Sequence, residues 1–411
     1  MYLDLNKELT DEQRSVKEET HRFAAEVLRP ASIELDKLSP EEVIADGSVM
    51  WEVFRKAYQQ GHHLAGLPEE MGGVDLSPLS SHIRTEEMGW GSADFAIALG
   101  VSPFPFTFAA RSGNADLIQE VVVPFTKDTE AKYVGCWAIT EPQHGSDGLL
   151  IGSKEFGDID VSFDCTARLD GDEYVINGQK AAWVSNGTIA THACTFLSVD
   201  PGQGIAGGGV AIIPLDLPGV SRGKALDKLG QRALNQGEIY FDNVRLPKHY
   251  MVVQPAAYPF IIDAILATAN AGMSAIFTGV ARAAFEEALT YCRERVQGGK
   301  PICEHQLIQK QLFDMFIKVE SARALSRGAM TYNATTIPPA TQYSIAAKVY
   351  CTQAAFEVAS DAIQLHGGYG LAKDFLVEKL FRDARASMIE DGTNEVLTLA
   401  GARKIIDSYQ P

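Results

Sequence analysis

Residues 133–147 read YVGCWAITEPQHGSD, and they mark a change of period in the chain. Upstream, apolar residues recur at helical spacing, as in Val16, Phe23, Ala24, Val27 and Leu28, then Val53, Phe54 and Tyr58. Downstream come short strand-like runs: Tyr133–Ile139, Tyr174–Ile176, Ala193–Val199, Gly209–Ile213 and Gly237–Phe241. The segments between them, such as LDGDE (Leu169–Glu173) and DPGQGIAGGG (Asp200–Gly209), are rich in turn formers. Beyond Ile261 the helical period returns over Ile265–Tyr291, Glu304–Thr331, Tyr343–Gln364 and Glu395–Ser408, which suggests an antiparallel four-helix bundle. The order predicts an α+β multi-domain protein. Its expected parts are an N-terminal all-α domain (1–130), a middle β-domain of sandwich or barrel type (131–247) and a C-terminal four-helix bundle (248–411). Pro30 is expected to end or close the first long helix, and LPEEMGG (Leu67–Gly73) reads as a loop between helices.

Composition narrows the function. At 411 residues, with 46% hydrophobic and 22% charged side chains, the chain is long enough for two or three packed units. A formal charge of −17 with no basic run disfavours nucleic acid as a partner. The N-terminal stretch is acidic from Asp4 onward and lacks the pattern of a secretory signal. The apolar runs AIIPLDLPGV and IIDAILATANAGMSAIF are broken by Pro, Asp, Asn and Gly, so no membrane span is expected. The expected location is cytoplasmic or matrix-like. The six cysteines, Cys136, Cys165, Cys194, Cys292, Cys303 and Cys351, form no C-x-x-C pair and read as reduced thiols; no metal is expected. Strands do not alternate with helices, and neither G-x-G-x-x-G after an opening strand nor a Walker-type loop is present. Any nucleotide cofactor is therefore held by another architecture.

Several segments offer chemistry when read alone. In TEPQHGSD, Thr140 and Ser146 present hydroxyls around a Gly145 turn, suited to a ligand or merely to capping. In AAWVSNG, Trp183 and Ser185 fall two apart on a strand, hence on one face. Gly298-Gly299, after Arg295, ends a helix or makes a tight turn. Gln364 with Gly367, Gly368 and Gly370 lets backbone approach a ligand.

Together WAITEPQHGSD (Trp137–Asp147), NGQKAAWVSNG (Asn177–Gly187), CRERVQGGKPICEHQ (Cys292–Gln306) and QLHGGYGLAKDFLVEKLFRDARASMIEDGTNEV (Gln364–Val396) resemble the acyl-CoA dehydrogenase family, with support from LPEEMGG and LGQRALNQGEIYFDNVRLP (Leu229–Pro247). The resemblance implies FAD as cofactor. It sets the backbone from Trp137 through Ile139 to Thr140 against the flavin pyrimidine, Thr140 near the reactive edge, Trp183 beside the ring and Ser185, in place of the commoner Thr, at N5. It places Arg295, Gln364, Gly367 and Gly368 on the FAD of a neighbouring subunit, with Gly298 standing where many relatives carry Phe. Thr393 and Glu395 are further cofactor contacts, and Ser146 and Gly392 face substrate. Phe95 and Leu99, with Ala96, Val101 and Phe104, are candidates for the acyl pocket, or simply core.

The resemblance also locates the base. Relatives usually read Y-E-G-T where this chain has Glu390-Asp391-Gly392-Thr393, so Asp391 stands at the base position and Glu390 at that of Tyr. Some relatives carry the base on the helix that opens the third domain, but Ala269 and Asn270 offer no carboxylate there. Asp is one methylene shorter than Glu, which withdraws the carboxylate by roughly 1.5 Å. A branched or alicyclic acyl-CoA is one expectation. Dehydrogenation of an unsaturated acyl-CoA to a conjugated diene is another, with Asp94 or Glu390 as a second carboxylate. Acyl carrier protein thioesters remain open because the Ser146–Tyr174 linker looks long. A flavin oxidase of the same fold, or a non-catalytic DNA-protection relative, are the other classes; Asp391 and the acidic charge argue against the last. An electron-transferring flavoprotein and a homotetramer complete what the resemblance implies.

Overall fold

The computed structural model describes residues 8–74 and 76–410; the acidic stretch at Asp4 lies outside them. The N-terminal helices are α1 (Asp11–Phe23), α2 (Arg29–Leu35), α3 (Pro40–Ile44), α4 (Val49–Gln59), α5 (Pro78–Gly91), α6 (Ala93–Val101), α7 (Phe104–Arg111), α8 (Ala115–Leu117) and α9 (Val123–Thr126). Thr10 starts α1 with a capping box, its hydroxyl taking the Gln13 N–H while Gln13 reaches back to the Thr10 N–H. Pro30 does not end the helix. A π-helical turn at Ala24–Leu28 joins α1 to α2, and the chain stays helical to Leu35. The wider turn just ahead of the proline accommodates its missing N–H and bulky ring. The same device recurs at Ile118–Val122, just before Pro124.

The middle region forms one eight-stranded sheet: β1 (Gly135–Ala138), β2 (Thr166–Asp170), β3 (Glu173–Ser185), β4 (His192–Ser198), β5 (Gly208–Pro214), β6 (Val220–Arg222), β7 (Gln236–Pro247) and β8 (Met251–Val253). β8 pairs with β5, so the sheet runs past the expected boundary at 247. Residues from β3, β4, β5 and β7 meet in a core of their own, which requires the sheet to curl, while its other face joins the main core under the helices. β1 and β2 occupy one slot, end to end, between β3 and β4. Trp137 pairs with Ser185 and Cys194 at one end, Thr166 with Asn177 and Ser198 at the other. Residues 139–165 are an excursion that leaves this slot and returns to it.

The C-terminal region holds α10 (Tyr258–Glu294), a two-stranded hairpin of β9 (Val296–Gln297) and β10 (Lys300–Pro301), then α11 (Gln306–Ala334), α12 (Thr341–His366), α13 (Leu376–Ser387) and α14 (Asn394–Ser408). α10 is unbroken for 37 residues and extends the expected Ile265–Tyr291 helix at both ends. By length and composition it could cross a membrane. In this fold it packs on α5, α11 and α12 as a core helix, and buried Asn270 donates to the Leu266 carbonyl. α5 and α10 touch backbone to backbone: a Cβ at Gly279 would lie 2.1 Å from the Glu86 carbonyl oxygen, and one at Gly89 2.1 Å from that of Ile276. That closeness brings Arg282 of α10 onto Glu86 and Glu87 of α5, where Arg323 of α11 joins Glu86 at 2.9 Å.

Candidate active site

The connection from α13 to α14 carries the candidate base. Asp391 has φ of +50°, a left-handed conformation uncommon for a residue with a side chain. Two contacts hold that turn. Buried Lys348 of α12 donates from Nζ to the Gly392 carbonyl at 2.8 Å and to Asn394 Oδ1 at 2.9 Å. Ser146, from the excursion, accepts the Thr393 N–H at 3.0 Å. Thr393 caps α14 by accepting the Val396 N–H, and Glu395 lies exposed in its first turn. Asp391 is exposed at its turn, with protein crowded around the carboxylate. That crowding raises its pKa above the usual Asp value, against the pull of Lys348. Burial pushes Lys348 down to about 8 and pushes Glu390 up to about 7. Glu390 accepts from Gln231 Nε2 at 3.0 Å.

Asp94 does not stand free as a second carboxylate beside Asp391. It is fully buried, and its oxygens take Ser32, Ser92, the Ala233 N–H and Lys379 Nζ at 3.2 Å. Burial works against its charge, but Lys379 and the two serines outweigh it and lower its pKa, leaving a permanently paired anion rather than a proton carrier. Its link to the Glu390–Asp391 turn is indirect. Lys379 also binds Asp383 at 2.6 Å, Asp383 takes the Gln231 N–H at 2.5 Å, and Gln231 holds Glu390.

A second set of expected residues gathers where β1 leaves its slot. Buried Glu141 binds Lys180 Nζ at 2.5 Å and accepts the Asp164 and Cys165 N–H groups, stapling both ends of the excursion. Lys180 also donates to the Ile139 carbonyl at 3.1 Å, and the Thr140 hydroxyl donates to the Ala181 carbonyl at 2.9 Å. β3 is irregular between Lys180 and Val184, with Ala182 at φ +49°. There Trp183 is 58% exposed, a large ring left uncovered beside half-buried Ser185. Trp137, across from Ser185, is wedged against Phe104 and Phe196. Hydroxyls, irregular backbone and an uncovered indole in one place suit a planar heteroaromatic ring, so these residues fit a flavin.

A third group lies at the C-terminal ends of α10 and α12. The Arg295 guanidinium sits 5.8 Å from the Tyr369 ring centre. Gln364, Gly367 and Gly368 are exposed, and a Cβ at either glycine would meet nothing within 4 Å. Gly298 and Gly299, at φ +63° and +83°, turn the β9–β10 hairpin rather than ending α10. Phe95 and Leu99 are buried in the main core and are 0% and 5% exposed; they are packing residues of α6. Glu141, His144 and Asp164 approach within metal-binding range, but Lys180 and two N–H groups already occupy the Glu141 carboxylate.

Sequence reasoning missed the lysines that organise the site. Lys180 opens the apolar run KAAWV and Lys348 stands inside SIAAKVYC; both are fully buried. A charge on the inward phase of its element is the signal that could have found them.

The whole chain matches known proteins. Profiles of the acyl-CoA dehydrogenase N-terminal, middle and C-terminal domains match residues 10–128, 136–244 and 261–406. Short-chain specific acyl-CoA dehydrogenase of Bos taurus is 31% identical over 98% of this chain and 92% of its own. Cyclohexane-1-carbonyl-CoA dehydrogenase of Geobacter metallireducens is 30% identical over 97% and 98%. The butyryl-CoA dehydrogenase structure from Megasphaera elsdenii superposes with a TM-score of 0.84 at 28% identity, covering 99% of this chain and 100% of that one. With a carboxylate on the loop before its last helix and a flavin-compatible edge on its sheet, the chain belongs to the acyl-CoA dehydrogenase family of FAD-dependent oxidoreductases acting on CH–CH bonds.

Proposed function

We propose that this enzyme desaturates a branched or alicyclic acyl-CoA, with Asp391 removing the α-proton. The carboxylate's place carries the reading. It stands on a turn pinned by Lys348 and Ser146, and the protein crowded around it raises its proton affinity. A base tuned upward toward working pH is a better proton acceptor than an ordinary Asp. Bound FAD supplies the acceptor for the β-hydride. This chain's part is to hold the ring with Trp183, Ser185, Thr140 and the backbone from Trp137 through Ile139, and to keep Asp391 in place. The shorter reach of Asp suits an acyl group that brings its α-carbon closer to the loop, and similarity to a cyclohexane-1-carbonyl-CoA dehydrogenase supports that class. Buried, paired Asp94 is withdrawn from the conjugated-diene alternative, which leaves Glu390, held by Gln231, as its second carboxylate.

The reduced enzyme passes its electrons to an electron-transferring flavoprotein. The working assembly is a homotetramer in which Arg295, Gln364, Gly367 and Gly368 reach a neighbouring subunit's FAD. A reducing, cytoplasmic or matrix-like location suits its free cysteines. The test is kcat/KM with an artificial electron acceptor across straight, branched and ring acyl-CoAs, for wild type and Asp391→Glu. Wild type should prefer a branched or ring substrate, and Asp391→Glu should move preference toward straight chains. A wild-type preference for plain butyryl-CoA would overturn the substrate assignment.

A further inference from the structure

Gln236 stands directly opposite Ser185 across the β3–β7 ladder, buried at 5% exposure. Its Nε2 donates to Ser185 Oγ at 3.2 Å, and its Oε1 accepts from Lys228 Nζ at 2.9 Å. Lys228 also donates to the Leu234 carbonyl at 2.6 Å and lies among the carboxylates of Glu390, Asp94 and Asp383. The order of donors in this row follows from chemistry. A lysine ammonium has donors only, so the amide must turn its oxygen to Lys228 and its NH2 to Ser185. Ser185 therefore receives a hydrogen bond from behind, and its own proton is free to point away from Gln236.

We propose that Lys228 and Gln236 are positioning residues that fix Ser185 as a hydrogen-bond donor toward the cofactor ring. The assignment rests on the flavin reading above, because it takes the acceptor in front of Ser185 to be a ring atom. Neither residue touches the reacting atoms; both act by setting the direction of one proton. Gln236→Glu should reverse that direction. A carboxylate can accept from Lys228 with one oxygen and from Ser185 with the other, so the serine would donate backward and turn lone pairs to the ring. Gln236→Met removes the amide altogether and leaves Ser185 free to rotate, so its effect should be smaller.

The test uses holoenzyme of wild type, Ser185→Ala, Ser185→Thr, Gln236→Glu, Gln236→Met and the Ser185→Ala/Gln236→Glu double variant. It reads FAD content, the visible flavin spectrum, the midpoint potential in a dye-equilibrated titration, and the rate of anaerobic flavin reduction by substrate. Loss of one hydrogen bond to the ring corresponds to a slowing of about ten- to a hundredfold. That loss is expected for Ser185→Ala and Gln236→Glu, with a matching change of spectrum and potential, and the double variant should be no slower than the slower single. Ser185→Thr should stay near wild type. Should Gln236→Glu fail to fold, Gln236→Met must still fall between wild type and Ser185→Ala. Gln236 variants with unchanged spectrum and potential, or effects that multiply in the double variant, overturn the proposal. If no acyl-CoA reduces the wild type, the substrate reading fails, while spectra and potentials still decide the relay.

Discussion

A carboxylate that must be unprotonated to act, in surroundings that favour its protonated form, makes the reaction pH-dependent. Burial raises Asp391 and Lys348 opposes it, so kcat/KM should rise with pH through an apparent pKa above the ordinary Asp range. Lys348→Gln removes the opposing cation. The acid limb of the kcat/KM profile should then move to higher pH, with a stability loss of about 1–3 kcal/mol from the altered bonds to Gly392 and Asn394. An unmoved limb would separate Lys348 from the base. At this scale the loop that carries Asp391, the proposed base, was legible from its motif. The partners that tune it were not, because Lys348 lies 43 residues earlier on another helix and Ser146 lies in a different domain, and only tertiary packing brings them to the loop. Asp94 misled for the same reason: its charge is visible in sequence, but the lysine that neutralises it is Lys379, 285 residues away.

Among elements, the α5–α10 crossing sets the spacing on which the rest depends. Because a Cβ at Gly279 would meet backbone oxygen rather than a movable side chain, Gly279→Ala should force the helices apart. The expected loss is about 2 kcal/mol or more, read as a lower midpoint in urea unfolding, with a further cost as Arg282 and Glu86 separate. A wild-type midpoint would contradict the close crossing. Helical and strand periods made the order of elements readable, since long helices repeat their signal many times. Short elements did not show. β2, β6 and β8 have five, three and three residues, too few to establish alternation. Pro30 was misread because a π turn, which has no distinct sequence period, absorbs it.

The whole molecule should be sensitive to acid. Burial lowers His62 to about 3 and both His63 and His192 to about 4, so the folded protein keeps them neutral where the unfolded chain, near 6.5, takes up protons. Depressed values give stability that is full above pH 6.5 and lost as pH falls toward 4. Thermal midpoints between pH 7 and 4.5 should fall along that window, and His63→Phe should flatten part of the fall; an unchanged slope would assign it elsewhere. The most direct test of the chemistry is rapid anaerobic mixing of FAD-loaded wild type and Asp391→Asn with the best acyl-CoA, following loss of flavin absorbance. Wild type should bleach, and Asp391→Asn, with equal FAD content, should bleach roughly a thousandfold more slowly. Bleaching at the wild-type rate in Asp391→Asn would show that the base lies elsewhere.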